Sequence, residues 1–135
     1  MIILDTNIVL RVGMDWKADG VSTAAEQLVV DAQVRGEAAI SAATIWEIGE
    51  LAEKGIIHAN LAVLLGQLAA EGISVIPIDG NIAARAVQLR SEWADKDPAD
   101  RFIMATALLT NSQLVTIDAE MITWNGPARV VDARS

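Results

Sequence analysis

The 135-residue chain has no cysteine, no tyrosine, one phenylalanine, three prolines and a single histidine, His58. Without cysteine there is no disulfide scaffold, no thiol catalysis and no thiolate zinc site. One histidine cannot build a zinc centre from several imidazoles, and His58, after Gly55-Ile56-Ile57, reads as a loop residue. No run reaches the roughly 18 apolar residues that span a bilayer. Met1-Ile2-Ile3-Leu4-Asp5 has no basic region before its apolar residues, so it does not read as a secretory signal. The expectation is a cytoplasmic protein with no membrane attachment. Basic residues are scarce: 10 Lys and Arg stand against 18 Asp and Glu, a formal net charge of −8. A broad basic face, the usual footprint of nucleic-acid binding, is therefore missing. GxGxxG, P-loop and GxSxG patterns are also absent, which removes the sequence support for dinucleotide binding, Walker-type hydrolysis and a nucleophile elbow.

What remains is a chain 53% hydrophobic and about the length of one domain, enough to fill a core. Short apolar runs rich in β-branched residues alternate with helical patterns. Strands are expected at Ile2–Leu4, Ala38–Ile40, Ser74–Ile78, Leu114–Ile117 and Arg129–Val131. Helical spacing marks residues 22–35, 44–54, 60–71 and 81–94, and the nearly all-apolar stretch from Phe102 to Leu109 predicts a buried helix. The alternation predicts one α/β domain over residues 1–135, a mainly parallel five-stranded sheet with helices on both faces.

In such sheets ligands bind beyond the carboxyl ends of the strands, and four aspartates fall there. Asp79, in Asp79-Gly80-Asn81 before an Ala-rich helix, reads as a cap, and Asp132, near the chain end, as solvated surface. Asp5 follows three large aliphatics and reads either as a helix cap or as a metal ligand. Asp118 sits at the end of the fourth strand. Asp97-Pro98-Ala99-Asp100 has the form of a helix start, with Asp at N-cap, Pro at N1 and acid at N3. The helix that follows is buried, which puts Asp100 at depth beside Arg101. Glu47 borders the apolar arc of its helix, about 40° from Leu51, and can face inward or outward. Trp16, Trp46, Trp93 and Trp124 are scattered and read as core or interface rather than as a base-stacking platform.

Four segments in this order carry a resemblance: Ile3-Leu4-Asp5-Thr6-Asn7, Ser41-Ala-Ala-Thr-Ile-Trp46-Glu47-Ile48, Asp97-Pro98-Ala99-Asp100-Arg101 with the helix after it, and Leu114-Val115-Thr116-Ile117-Asp118. Together they resemble the PIN-domain family, and most closely the VapC-type ribonuclease toxins of type II toxin–antitoxin pairs. The resemblance spans essentially the whole chain. It implies a PIN-like twisted sheet and an acidic cluster of Asp5, Glu47, Asp100 and Asp118 that binds Mg²⁺ or Mn²⁺. Thr6 and Thr116 would orient those ligands, and Asp97 matches a frequent acidic position that its capping role also explains. Arg11 stands where relatives often carry an aromatic residue and Lys96 where they often carry histidine, departures that bear on substrate and subgroup.

The implied activity is metal-dependent hydrolysis of RNA phosphodiesters. Oxygen-only ligands suit hard divalent ions, which activate water and stabilise charge on phosphate. Asp5, Asp100 and Asp118 would be ligands, with Glu47 a ligand or the group that positions water. Half of the net negative charge then falls in the metal site, and RNA would be held by the metal, by Arg101, Lys96 or Arg11, or by a basic partner chain. The implied partners are a VapB-like antitoxin and a second copy in a homodimer, with the stripe Leu61, Leu64, Leu65 and Leu68 as the antitoxin surface or, alternatively, plain core. A PIN nuclease of RNA processing without an antitoxin is the alternative. A phosphoreceiver would need paired acids after its first strand and a lysine near its last strands, whereas Lys17, Lys54 and Lys96 stand elsewhere. A non-catalytic binding module fits poorly with four filled acidic positions.

Overall fold

A computed structural model describes residues 1–13, 20–93 and 97–135. Trp16, Lys17 and Lys96 lie outside the described residues. In chain order the elements are β1 (Ile2–Leu4), α1 (Thr6–Ile8) running into a π-helical segment (Val9–Gly13), α2 (Thr23–Val34), β2 (Ala38–Ser41), α3 (Ala42–Glu53), α4 (Leu61–Ala70), β3 (Ile73–Ile76), α5 (Gly80–Glu92), α6 (Pro98–Leu109), β4 (Gln113–Thr116), α7 (Ala119–Thr123) and β5 (Arg129–Asp132). The five strands form one sheet in the order β3-β2-β1-β4-β5, and every pairing is parallel. The direction of strand addition reverses between β1 and β4, so the crevice at their carboxyl ends is the ligand position of this architecture.

Period-two alternation distributes the strands' side chains between two cores. Ile2, Leu4, Ala38, Ile40 and Val115 face one layer, with Val29 of α2 and Leu64 and Leu68 of α4. Ile3, Ala39 and Leu114 face the other, with Leu89 of α5 and Ile103 and Met104 of α6. Both sheet faces are thus covered, which is why the strands read as unbroken apolar runs instead of alternating ones.

Several local expectations shift for identifiable reasons. The third strand occupies Ile73–Ile76 rather than Ser74–Ile78 because Pro77 has no N–H to extend the ladder. Its entry turn uses Gly72 at φ +75°, where an added Cβ would lie 2.8 Å from the Gln33 carbonyl oxygen. The fourth strand starts and ends one residue earlier than expected, and the buried helix begins at Pro98. The short α1, its π-helical continuation and α7 were too brief to leave a periodic signal. Asp79 and Asp97 cap α5 and α6 as expected, accepting from the backbone N–H of Ile82 and Asp100. Asp132 is exposed and paired with Arg134, and His58 is exposed. The α4 stripe divides: Leu64 and Leu68 are buried, whereas Leu61 and Leu65 face solvent. Trp93 is buried against Trp124 with ring centroids 5.4 Å apart. Trp46 is 62% exposed, so it is not a core residue.

Candidate metal centre

Asp5 comes directly after β1, at the switch point of the sheet, and is 3% exposed. Its extended backbone makes it the N-cap of α1, and Oδ1 accepts from the Thr6 N–H at 2.8 Å. The side-chain amide of Asn7 donates to Oδ2 at 3.2 Å. Thr116, the last residue of β4 and fully buried, donates its hydroxyl to the same oxygen at 2.6 Å. That hydroxyl in turn accepts the backbone N–H of Asp118 at 2.9 Å. The cap reading of Asp5 is borne out, and its second oxygen is held by Asn7 and Thr116.

Glu47 reaches the crevice from α3. It is half-buried, so the inward orientation is the one adopted, and the Thr6 hydroxyl donates to its Oε1 through a short hydrogen bond. The hydroxyls of Thr6 and Thr44 lie 3.0 Å apart. Burial pushes the Glu47 carboxyl above its ordinary value, the Thr6 hydrogen bond partly offsets this, and the charges of Asp5 and Asp97 add to the rise. Asp100, half-buried at the third position of α6, is the third acid. The N–H that Asp97 captures is that of Asp100 itself, which holds this turn in place.

One carboxylate oxygen from each of Asp5, Glu47 and Asp100 lies within 4.8 Å of the other two. An octahedral ion with oxygens at about 2.1 Å separates trans ligands by about 4.2 Å, so small side-chain movements or an intervening water bring all three to one ion. The donor set contains only oxygen, and it carries crowded negative charge that a cation relieves; both properties suit Mg²⁺ or Mn²⁺. Asp118 is not in this mutual group. Its Oδ1 accepts the Glu120 N–H at 2.9 Å and caps α7, while its backbone N–H bonds to the Thr116 hydroxyl that also holds Asp5. Thr6 and Thr116 each donate a hydrogen bond to one of these carboxylates, Glu47 and Asp5 respectively. Thr44 and Asn7 also enter this network, and the sequence marks neither beyond a threonine one helical turn before Glu47. Arg11 donates to the Asn7 carbonyl at 3.4 Å, near the crevice, and Arg101 is half-buried next to Asp100.

A PIN domain profile matches residues 2–123 of the chain. Ribonuclease VapC22 of Mycobacterium tuberculosis is 37% identical over 119 residues, spanning 85% of this chain and 88% of that protein. A toxin–antitoxin complex from Klebsiella pneumoniae contains a chain 26% identical to this one, with a TM-score of 0.64 and coverage of 97% and 96% of the two chains. VapBC2 of Rickettsia felis, solved bound to a DNA fragment from its promoter, matches in fold at 17% identity with a TM-score of 0.68, covering 97% of this chain and 98% of that one.

Proposed function

The chain belongs to the PIN domain family, and on that basis we propose that it is an endoribonuclease dependent on Mg²⁺ or Mn²⁺, the toxin of a type II toxin–antitoxin pair acting in the cytoplasm. The observation that carries this reading is the convergence of Asp5, Glu47 and Asp100 from three separate elements at the switch point of the sheet. The relationship to Ribonuclease VapC22 supports RNA as the substrate. A divalent ion bound there would activate water and stabilise negative charge on the scissile phosphate. Asp5 and Asp100 would hold it, with Asp118, whose carboxylate caps α7, joining from the β4 side through a water. Glu47 would be a ligand or would orient the attacking water. Thr6 and Thr116 keep Glu47 and Asp5 aimed by occupying one oxygen of each.

Cleavage of a single-stranded RNA in Mg²⁺ or Mn²⁺ tests the assignment. Asp5→Asn and Asp100→Asn are expected to lose at least about 100-fold in rate, in line with the removal of a directly acting group. Retention of near-wild-type rates by either variant refutes the assignment of that residue.

A polypeptide antitoxin is the proposed partner, alongside a second copy of this chain. A cavity of about 250 Å³ opens between α2, α4 and the β1–α1 region, lined by Leu4, Val29, Val30, Leu64 and Leu68 among others. Around it α2 and α4 expose Val34, Leu61, Val63 and Leu65, more apolar surface than these short helices need to cover the sheet. The toxin–antitoxin complex of Klebsiella pneumoniae, which contains a chain 26% identical to this one, supports a polypeptide occupant. Light scattering at micromolar concentration tests the homodimer, and a monomer there counts against it.

A further inference from the structure

We propose that the recess between α3 and α6 is a nucleobase subsite: Trp46 and Phe102 hold one base of the RNA while the adjoining phosphate lies at the acidic cluster. This rests on the ribonuclease reading above and adds to it the groups that grip the substrate.

Two helix faces make the recess. Ala42 and Trp46 stand at i and i+4 on α3, and Pro98 and Phe102 at i and i+4 on α6, so each pair lies on one side of its helix. With Ala43 and Ala99 they line a space of about 470 Å³, within the roughly 300–1,000 Å³ of small-ligand sites. Every lining residue is apolar: the alanines leave room, and the two rings supply flat surface. Phe102 is half-buried against the core, whereas Trp46 keeps 62% of its surface exposed. The same two helices carry acids of the cluster. Glu47 follows Trp46 and Asp100 follows Ala99 in the chain, and one carboxylate oxygen of each lies within 4.8 Å of the other. The recess therefore borders the place where a phosphate would meet the metal.

A base is the occupant that the charges favour. The chain carries a net −8 and three acids stand beside the recess, so a further anionic group is repelled there. A base is neutral and stacks on an aromatic ring through its π-face, and single-stranded RNA presents such bases unpaired. A second copy seated here about a two-fold axis would set its own acids against these. The antitoxin surface proposed above shares no lining residue with the recess. With no polar side chain in the lining, a base is held by shape and stacking rather than by its edge. The interface reading of Trp46 thus becomes a contact with RNA.

The test uses the full chain in two measurements: steady-state cleavage of a single-stranded RNA, and NMR of the Trp46 and Phe102 rings on addition of adenosine or uridine at millimolar concentration. Trp46→Ala is expected to raise KM about tenfold and to leave kcat within about twofold, the mark of a group that binds ground and transition states alike. Trp46→Phe, which keeps a ring, restores most of the lost affinity. Both wild-type rings should shift with either nucleoside. An unchanged KM in Trp46→Ala overturns the inference, and so does a fall in kcat alone, which marks displacement of Glu47 instead of a lost base contact. Trp46 resonances that move on dilution and not with nucleoside assign the recess to a second copy and overturn it as well. If the wild-type chain cleaves no RNA, the ribonuclease reading fails, and the nucleoside titration decides the subsite alone: ring shifts uphold it and their absence overturns it. The same titration decides should Trp46→Ala not fold.

Discussion

Replacing Thr116 by valine isolates the bond that anchors the most buried carboxylate. The side chain keeps its shape and exchanges a hydroxyl for a methyl group at a site with no solvent exposure. Two hydrogen bonds are lost: donation to Asp5 Oδ2 at 2.6 Å, and acceptance of the Asp118 N–H at 2.9 Å. A hydrogen bond to a charged group contributes about 1.5–3 kcal/mol, and Asp5 at 3% exposure cannot recover it from water. Asn7 still donates to the same oxygen, which places the cost toward the middle of that range. The Asp118 N–H is nearer the surface and adds about 0.5 kcal/mol. The total is about 2.5 kcal/mol, or a fall in Tm of roughly 7–12 °C for a chain of this size. Urea denaturation of the metal-free protein at pH 7 measures it, with an unchanged m-value confirming that the folded state is the same. Thr116→Ser is the control. It keeps both bonds and loses one buried methyl group, at a cost of about 1 kcal/mol. The reasoning is refuted if Thr116→Val costs less than Thr116→Ser.

Glu47 sets a pH dependence. Its folded-state carboxyl titrates above the ordinary value of 4.5, so folding favours the protonated form. That contribution to stability is fully present below pH 4.5 and is lost as pH rises through the folded value. Metal-free Glu47→Gln should lack this decline in urea denaturation between pH 4 and 7, while binding Mn²⁺ more weakly than wild type. Asp97→Ala removes the cap of α6 and should cost about 1 kcal/mol of stability. It also removes one of the charges that raise Glu47, so an NMR titration should find the Glu47 carboxyl more acidic than in wild type. The neighbouring leucines of α4 should behave oppositely. Leu64→Ala, at 5% exposure, should cost about 2–4 kcal/mol in denaturation, whereas Leu65→Ala, at 45%, should leave stability nearly unchanged and weaken antitoxin binding in a pull-down titration.

The elements that were legible in the sequence were those with a local cause. Ile2-Ile3-Leu4 and Leu114-Val115 read as buried strands because both faces of a parallel sheet are covered. Asp79 and Asp97 read as caps because capping is decided by the N–H groups two or three residues away. Where the signal failed, the cause was not local. Glu47 lies at the border of an apolar arc, and periodicity left its direction open. Its inward turn comes from Thr6, on another element, and from the packing of α3 against it. Leu61 and Leu65 share the spacing of Leu64 and Leu68, yet only the second pair meets the sheet, since α4 crosses it with a narrow face. Of the two readings of Trp46, core or interface, its 62% exposure excludes the core.

Hydrophobic order along the chain was therefore enough to specify an α/β fold, its capped helices and a set of acids placed after strands. The family motifs kept Asp5 and Asp118 of that set and added Glu47 and Asp100 from two helices. Neither could decide which of the four converge. That depended on the strand order β3-β2-β1-β4-β5, which sets β4 beside β1 and lets Thr116 reach Asp5 across 111 positions of chain. It depended equally on α3 and α6 entering the same crevice, which brings Glu47 and Asp100 to Asp5 while Asp118 turns to cap α7. Contacts between residues so distant in sequence are selected by the packing of whole elements on an open, all-parallel sheet, and no periodicity within a single element encodes them.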